Sequence, residues 1–289
     1  MTVPFRNTIR LVDDAYFSGS ESKEYLSIEL LPDGFVFSVL DAGRFRYTAL
    51  EGYSWHTSPD EGQWDECMMH FVQQHPLLRR PFSRVNVTHY SPRLVLVPLE
   101  VYREEEKEHI FGLCAKIPSG HQLRADRLNN LGAYGLYTMP NHRLSFCDQF
   151  PGQRNIFHHG SALIESVLAS RELEKWDAEI VLHVRQAHFD LLLFNGAALS
   201  FYQTFRYHAI EDLLYYLFYA LEQHGLRPGE MSLVLLGEMG LDSAGYVSLS
   251  RYFKKLTLPG RNDMYHYSPV FAGIANHFYY NLLNLNACG

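Results

Sequence analysis

The chain has only four cysteines in 289 residues, Cys67, Cys114, Cys147 and Cys288, spaced far apart and with no CxxC pair. So sparse a set excludes a disulfide framework and a zinc finger, and it suits free thiols in a reducing compartment. Basic residues are also short: 25 Lys and Arg face 32 Asp and Glu, a formal charge of −7. A nucleic-acid partner normally needs a basic footprint, and none is present. Long apolar runs are missing too. The longest, Leu213 to Leu221, covers about half of what a membrane-spanning helix requires. The opening MTVPFRNTIRLVDDA mixes charges of both signs without the apolar core of a signal peptide, and no cysteine stands near it for lipid attachment. The expectation is a cytoplasmic protein with no membrane insertion.

Signatures of chemistry are equally scarce. No GxSxG elbow, no GxxxxGK[ST] loop and no GxGxxG after a strand occurs. There are fifteen histidines, but none falls into an HExxH or C₂H₂ pattern. His158 and His159 are adjacent and so diverge on a regular element; His70 and His75, and His183 and His188, lack ligand spacing. Glu104, Glu105 and Glu106 form a charge run suited to a solvated helix face. Asn86-Val87-Thr88 fits a glycosylation acceptor, which a cytoplasmic chain does not use. No catalytic residue and no metal ligand is assigned.

What is present is a globular composition, 47% hydrophobic and 20% charged, long enough for one large domain or two of about 100–150 residues. It also contains a repeat. LSIELLPDGFVFSVLDAGRFRYTALEGY (26–53) and IVLHVRQAHFDLLLFNGAALSFYQTFRY (180–207) coincide without a gap at an offset of 154. Leu26, Ile28 and Leu30 fall on Ile180, Leu182 and Val184; Phe35, Phe37 and Val39 fall on Phe189, Leu191 and Leu193. Alternation with period two, broken by PDG or RQAH and again by DAG or NGA, predicts three antiparallel strands joined by tight turns.

Each copy is followed by alternating helix and strand. After the first come a helix over Asp60–His75, started by Ser58-Pro59, and strands at Arg84–His89, Leu94–Val97 and Ala133–Met139. The charged segment Val101–Phe111 lies between these strands, and a helix over Asn141–Phe150 ends the half. After the second come a helix over Ala209–His224 closed by Gly225, a strand at Met231–Leu236 and a helix at Ser243–Phe253. A short strand near Lys255–Leu258 and a last helix from Pro269 to about Leu285 follow. The predicted fold class is mixed α/β, two tandem β-β-β-α-β-α-β-α halves over residues 1–150 and 151–289.

Two such units in tandem resemble the actin-like ATPase superfamily, a duplicated RNase H-like fold that includes actin, sugar kinases, heat-shock chaperones and the bacterial division and type IV pilus actin homologues. More narrowly, YLSIELLPDGFVFSVLD, LYTMPNHRLSF and LVLLGEMGLDSAGY resemble an uncharacterised Bacteroidetes family with an actin-like fold. The resemblance implies a bacterial protein and supplies a fold without an activity. It also implies a test, because ATP-hydrolysing members carry an Asp-x-Gly at the first hairpin turn of each half. There the carboxylate positions Mg²⁺ and water, and glycine lets backbone N–H groups approach phosphate.

Neither turn keeps that pattern. In the first, the expected Asp falls near Leu30 and the expected Gly near Pro32, which has no N–H to donate. Asp33-Gly34 is the tempting substitute, but PDG is a common structural turn. The second turn, Val184-Arg185-Gln186-Ala187-His188, has neither acid nor glycine. A late glycine pair that contacts adenosine is matched in part by Gly237-Glu238-Met239-Gly240. Asp33, Gly34, Gly237, Glu238 and Gly240 are thus the cofactor-binding candidates if a nucleotide binds at all, and ATP with Mg²⁺ is disfavoured.

Aromatics are abundant, with 19 Tyr, 19 Phe and 3 Trp. Most are expected in cores, while the segment Leu213–Tyr219 reads as a helix apolar nearly all round, buried within the chain or against a partner. The sequence therefore points to a degenerate, non-catalytic actin-fold scaffold or adaptor that binds a protein partner or itself. The alternative is an ATP-dependent enzyme of the sugar-kinase type using Asp33 or Glu238 as an unconventional acid.

Overall fold

The structure, a computed structural model, describes residues 5–17, 23–57, 61–174 and 178–287. Ser58-Pro59 and Cys288 lie outside them.

Along the chain, strand β1 (Phe5–Val12) and the single turn α1 (Asp14–Phe17) precede a meander of β2 (Glu24–Leu30), β3 (Gly34–Asp41) and β4 (Arg46–Trp55). Then come α2 (Glu61–Gln74), β5 (Arg84–His89), β6 (Val95–Pro98), α3 (Lys107–Gly112), β7 (His121–Leu128) and β8 (Ala133–Pro140). Helix α4 (Asn141–Asp148), β9 (Gln153–His158) and α5 (His159–Glu174) lead to a second meander, β10 (Ile180–Val184), β11 (His188–Asn195) and β12 (Ala198–Arg206). The rest is α6 (Ile210–Gln223), β13 (Ser232–Gly237), α7 (Ala244–Tyr252), β14 (Lys255–Thr257), β15 (His266–Tyr267) and α8 (Tyr280–Asn284). No helix of the described residues is long and apolar enough to cross a membrane.

The chain divides into two compact units, Met1–Ala162 with Asp263–Ala272 and Leu282–Gly289, and Leu163–Asn262 with Gly273–Asn281. The first holds a sheet ordered β1-β4-β3-β2-β5-β9, with β15 also on β4. The second holds β12-β11-β10-β13-β14. Strands β4-β3-β2-β5-β9 and β12-β11-β10-β13-β14 have the same order. In both, the meander is antiparallel and the next two strands are parallel. The repeat in the sequence is therefore a repeat of topology.

Each sheet buries one face under helices whose apolar residues recur at helical spacing. In α2 these are Trp64, Met68, Phe71 and Val72, which pack on Leu26, Ile28, Phe35, Phe37 and Val87. In α6 they are Leu213, Leu217, Ala220 and Leu221, against Ile180, Leu182, Leu191 and Leu235. Fully burying one such side chain is worth about 1.5–3 kcal/mol. Asp212 starts α6 by accepting from the His208 and Ala209 N–H groups at 3.0 and 3.1 Å, and these bonds lower its pKa. Ser243 caps α7, its Oγ accepting from the Tyr246 N–H.

The first unit also contains a small sheet, β6-β8-β7, over a core of Val97, Tyr102, Phe111 and Leu136. Three expectations change. Leu94–Val97 and Ala133–Met139 are strands, but they pair with each other and with the charged HQLRADRL strand β7, outside the main sheet. The continuous helix expected over Pro269–Leu285 is instead a 3₁₀ turn at Pro269–Gly273 and the short α8, with Tyr279 at a φ of 55° just before α8. A left-handed residue of this kind ends helical hydrogen bonding. Helix α6 differs as well: Tyr215 and Tyr219 are 64% and 51% exposed, so it is amphipathic.

Candidate functional site

In the first unit the β2–β3 turn is closed by the Leu31 N–H donating to the Gly34 carbonyl at 2.9 Å. The Asp33 carbonyl in turn accepts from the Trp55 N–H at 2.9 Å, fastening the turn to β4. Gly34 faces Ser54 in the β3–β4 register. A Cβ on Gly34 would lie 1.9 Å from the Tyr53 carbonyl oxygen. The glycine is thus required by the neighbouring strand.

The sheet face away from α2 is polar and buried at its centre. Ser27 and Glu29 of β2, Ser38 of β3, and Asn86 and Thr88 of β5 are all at most 2% exposed. Asn155 donates to Asn86 at 2.8 Å, Asn86 to Asn286 at 2.9 Å, and Asn286 to Ser27 and to the Tyr47 hydroxyl at 3.2 and 3.1 Å. This amide chain ties the C-terminal segment across four strands. Glu29, two residues before the turn, is a buried acid that the turn-centred sequence reading passes over.

At the C-terminal ends of β5 and β9 lies a second polar group. Arg143 donates to His89 Nδ1 at 2.8 Å. Burial first, and the Arg143 charge second, hold His89 well below the usual imidazole range, so it is neutral. His158 Nδ1 accepts from the Gly160 N–H at 3.0 Å, which leaves Nε2 to donate to the Ser91 carbonyl at 2.9 Å. Asp126 of β7 accepts from the His158 N–H at 2.7 Å, and burial raises its carboxyl pKa to about 7. His158 and His159 are thus both buried, with rings 4.4 Å apart.

On the helix-covered face, Tyr53 donates to Glu51, and His75 Nε2 lies 3.1 Å from both groups. Burial pushes the Glu51 carboxyl up, but the hydrogen bonds from His75 and Tyr53 outweigh it and hold the group below its usual range. The triad joins the end of α2 to β4.

In the second unit the turn residues close on β13. Val184 pairs with Gly237, and its carbonyl accepts from the Glu238 N–H at 2.7 Å. Gly237 has a φ of 86°, and a Cβ there would lie 2.0 Å from the Val184 carbonyl oxygen. Arg185 is only 4% exposed; its guanidinium meets the Glu238 carboxylate at 3.0 Å and lies 5.7 Å from the Tyr279 ring centre. Gly240 accepts from the Ser243 N–H and hydroxyl before α7. The unit therefore brings Gly237 and Glu238 together with Arg185, while Gly240 serves the cap of α7.

Behind this turn, Asp190 is fully buried and accepts from Tyr202 at 2.9 Å and Thr204 at 2.6 Å, with His183 Nδ1 at 3.1 Å. Asp190 interrupts the apolar run of β11, between Phe189 and Leu191–Phe194. That interruption was the only signal for it in the sequence.

Comparisons with known proteins agree with this topology. A family model described as "Protein of unknown function (DUF3822)" matches residues 14–256. Among solved structures, a Bacteroides thetaiotaomicron protein with actin-like ATPase fold and unknown function is similar at 19% identity and a TM-score of 0.69, over 82% of this chain and 91% of that one. The PilM–PilN type IV pilus biogenesis complex is similar at 12% identity and a TM-score of 0.61, over 91% and 98%. The ethanolamine utilization protein EutJ of Carboxydothermus hydrogenoformans is similar at 8% identity and a TM-score of 0.51, over 96% and 94%. No curated protein matches the sequence. At these identities the likeness establishes the actin-like fold alone.

Proposed function

The chain belongs to the DUF3822 family of proteins of unknown function, and we propose that it is a bacterial cytoplasmic adaptor of the actin-like fold that binds a protein partner and turns over no nucleotide. The observation that carries this reading is the pair that buried Arg185 makes with the partly exposed Glu238 at the second hairpin turn. A phosphate grip there needs free backbone donors and a carboxylate available to a metal. Instead Arg185 places a buried guanidinium at the turn, and Glu238 neutralises it.

The first turn supports the same reading. Pro32 has no N–H, and Gly34 is explained by the Tyr53 carbonyl lying against it. The residues of each unit do not fit a magnesium triphosphate gripped in the usual way. A solved relative in fold is itself a pilus-biogenesis complex of two proteins, which accords with a binding role.

Thermal melting with millimolar Mg²⁺-ATP is expected to leave Tm unchanged, whereas ligand at 100 times its Kd would add about 2.7 kcal/mol. A clear upward shift contradicts the reading that the turns do not fit a magnesium triphosphate, while turnover itself is read by phosphate release. Asp33→Ala separates the readings further. As a turn residue, Asp33 contributes about 1 kcal/mol or less, visible in a denaturant melt. An unconventional catalytic acid would instead abolish phosphate transfer and leave stability intact.

Glu238→Gln removes the anion from a buried guanidinium. Breaking such a pair costs up to about 3–5 kcal/mol when fully buried, and Glu238 is 25% exposed, so about 1–2 kcal/mol is expected in equilibrium unfolding.

A further inference from the structure

The second unit exposes several aromatic rings on its helices: Tyr215, Tyr216 and Tyr219 on α6 and Tyr252 at the end of α7. Between the two helices lies an open groove of about 570 Å³, a size typical of ligand pockets. Phe218, Leu226, Pro228 and Tyr252 give it apolar walls, and Glu222 and Arg227 are its charged residues. Its shape follows from how α6 ends. Gly225 has a φ of 68°; its N–H donates to the Glu222 carbonyl, and the Leu226 N–H donates to the Leu221 carbonyl, both at 2.9 Å. Such a glycine stop turns the chain back and sets the next apolar residue against the last helical turn. Here that residue is Leu226, packed against the core.

We propose that this groove seats an arginine side chain from a segment of a protein partner, an inference that rests on the adaptor reading. The Phe218 and Tyr252 ring centres are 4.8 Å apart and their planes meet at 64°, so the two rings form a corner. Aromatic faces attract a cation, and a planar guanidinium stacks on them where an ammonium does not. Glu222 is exposed at the groove, and its carboxylate has no partner among the described residues. It stands on the last turn of α6, where the helix dipole is negative and no lysine or arginine offsets it.

Arg227 does not take this place itself. Its side chain is 82% exposed and meets Glu230 at 3.6 Å, so its charge is offset at the rim. An anionic occupant would meet Glu222 as a like charge, and a purely apolar one would cover that carboxylate unpaired. Tyr219 and Tyr215 continue the same side of α6 about one and two turns before Glu222, their rings stacked at 13°. They offer apolar surface to the residues that flank the arginine.

The probe is the peptide acetyl-Leu-Arg-Leu-amide, titrated with the full chain and followed by the peptide's NMR signals. It is expected to bind with a Kd of about 1 mM or tighter. Its citrulline analogue, which has the same shape without the charge, is expected to bind at least about threefold more weakly. Glu222→Gln and Tyr252→Leu are each expected to weaken the arginine peptide by about threefold or more and to change Tm little, since both side chains are exposed. Spermidine, a cation without apolar flanks, is expected to bind more weakly than the peptide. No binding at about 10 mM peptide overturns the proposal. So does equal binding of the citrulline analogue, binding that both variants leave intact, or spermidine that binds more tightly than the peptide. None of these results measures nucleotide turnover, so the groove and the adaptor reading fail separately: phosphate release tests the second alone.

Discussion

Gly237→Ala is expected to destabilise the protein by about 3–5 kcal/mol, a change a denaturant or thermal melt reads directly. Two costs combine. The residue has a φ of 86°, a conformation that non-glycine residues adopt at a cost of about 1–3 kcal/mol. The added Cβ would then stand 2.0 Å from the Val184 carbonyl oxygen and 2.8 Å from its nitrogen, so a strand must move. Two parallel strands meet there, β10 and β13, and Val184 also accepts the Glu238 N–H. Displacing Val184 therefore disturbs the neighbouring Arg185 and its pair with Glu238. If Gly237 served only to admit a nucleotide, the alanine variant would melt within about 0.5 kcal/mol of wild type.

The second large effect belongs to Asp126. Its carboxyl is 6% exposed and titrates at about 7, because burial outweighs the hydrogen bonds it accepts from His158, Ser161 and Tyr137. An unfolded aspartate titrates near 3.9. Between about pH 4 and pH 7 the folded chain therefore holds a proton that the unfolded chain has released, and stability falls as pH rises through that window. Asp126→Asn keeps an acceptor for the His158 N–H and cannot ionise. It is expected to be more stable than wild type by about 2–4 kcal/mol at pH 8 and close to it at pH 4. A variant equally destabilised at both pH values would show that the carboxylate itself holds β7 to the end of β9.

The sequence made the local grammar of this fold visible and left the distant contacts hidden. Arg84–His89 reads as a buried strand from its own alternation and its flanking turns, and the structure has those bounds. The two meanders are legible for the same reason. By contrast, HQLRADRL has only Leu123, Ala125 and Leu128 as apolar residues, and the consecutive charges Asp126-Arg127 break its alternation; it becomes β7 through pairing with β8. Strand β1, FRNTIRLV, is mostly exposed beyond Phe5 and depends on β4 in the same way.

The candidate site follows that division. Pro32 and the missing acids of the turns are facts of local sequence. The reasons for Gly34 and Gly237 are carbonyls of Tyr53 and Val184, which only the sheet brings close. Glu29 and Asp190 were overlooked because alternation marks one buried face of a strand, whereas here the second face is buried too. The Arg185–Glu238 pair joins the end of one strand to the end of its parallel neighbour, a juxtaposition no spacing announces.

The most direct test of nucleotide independence is phosphate release from radiolabelled Mg²⁺-ATP mixed with an equal concentration of the purified chain. The account predicts no release above the protein-free control, in wild type and in Arg185→Met alike. Sustained release by wild type that Glu238→Gln abolishes would contradict it, because the carboxylate assigned to neutralising Arg185 would then be serving the reaction.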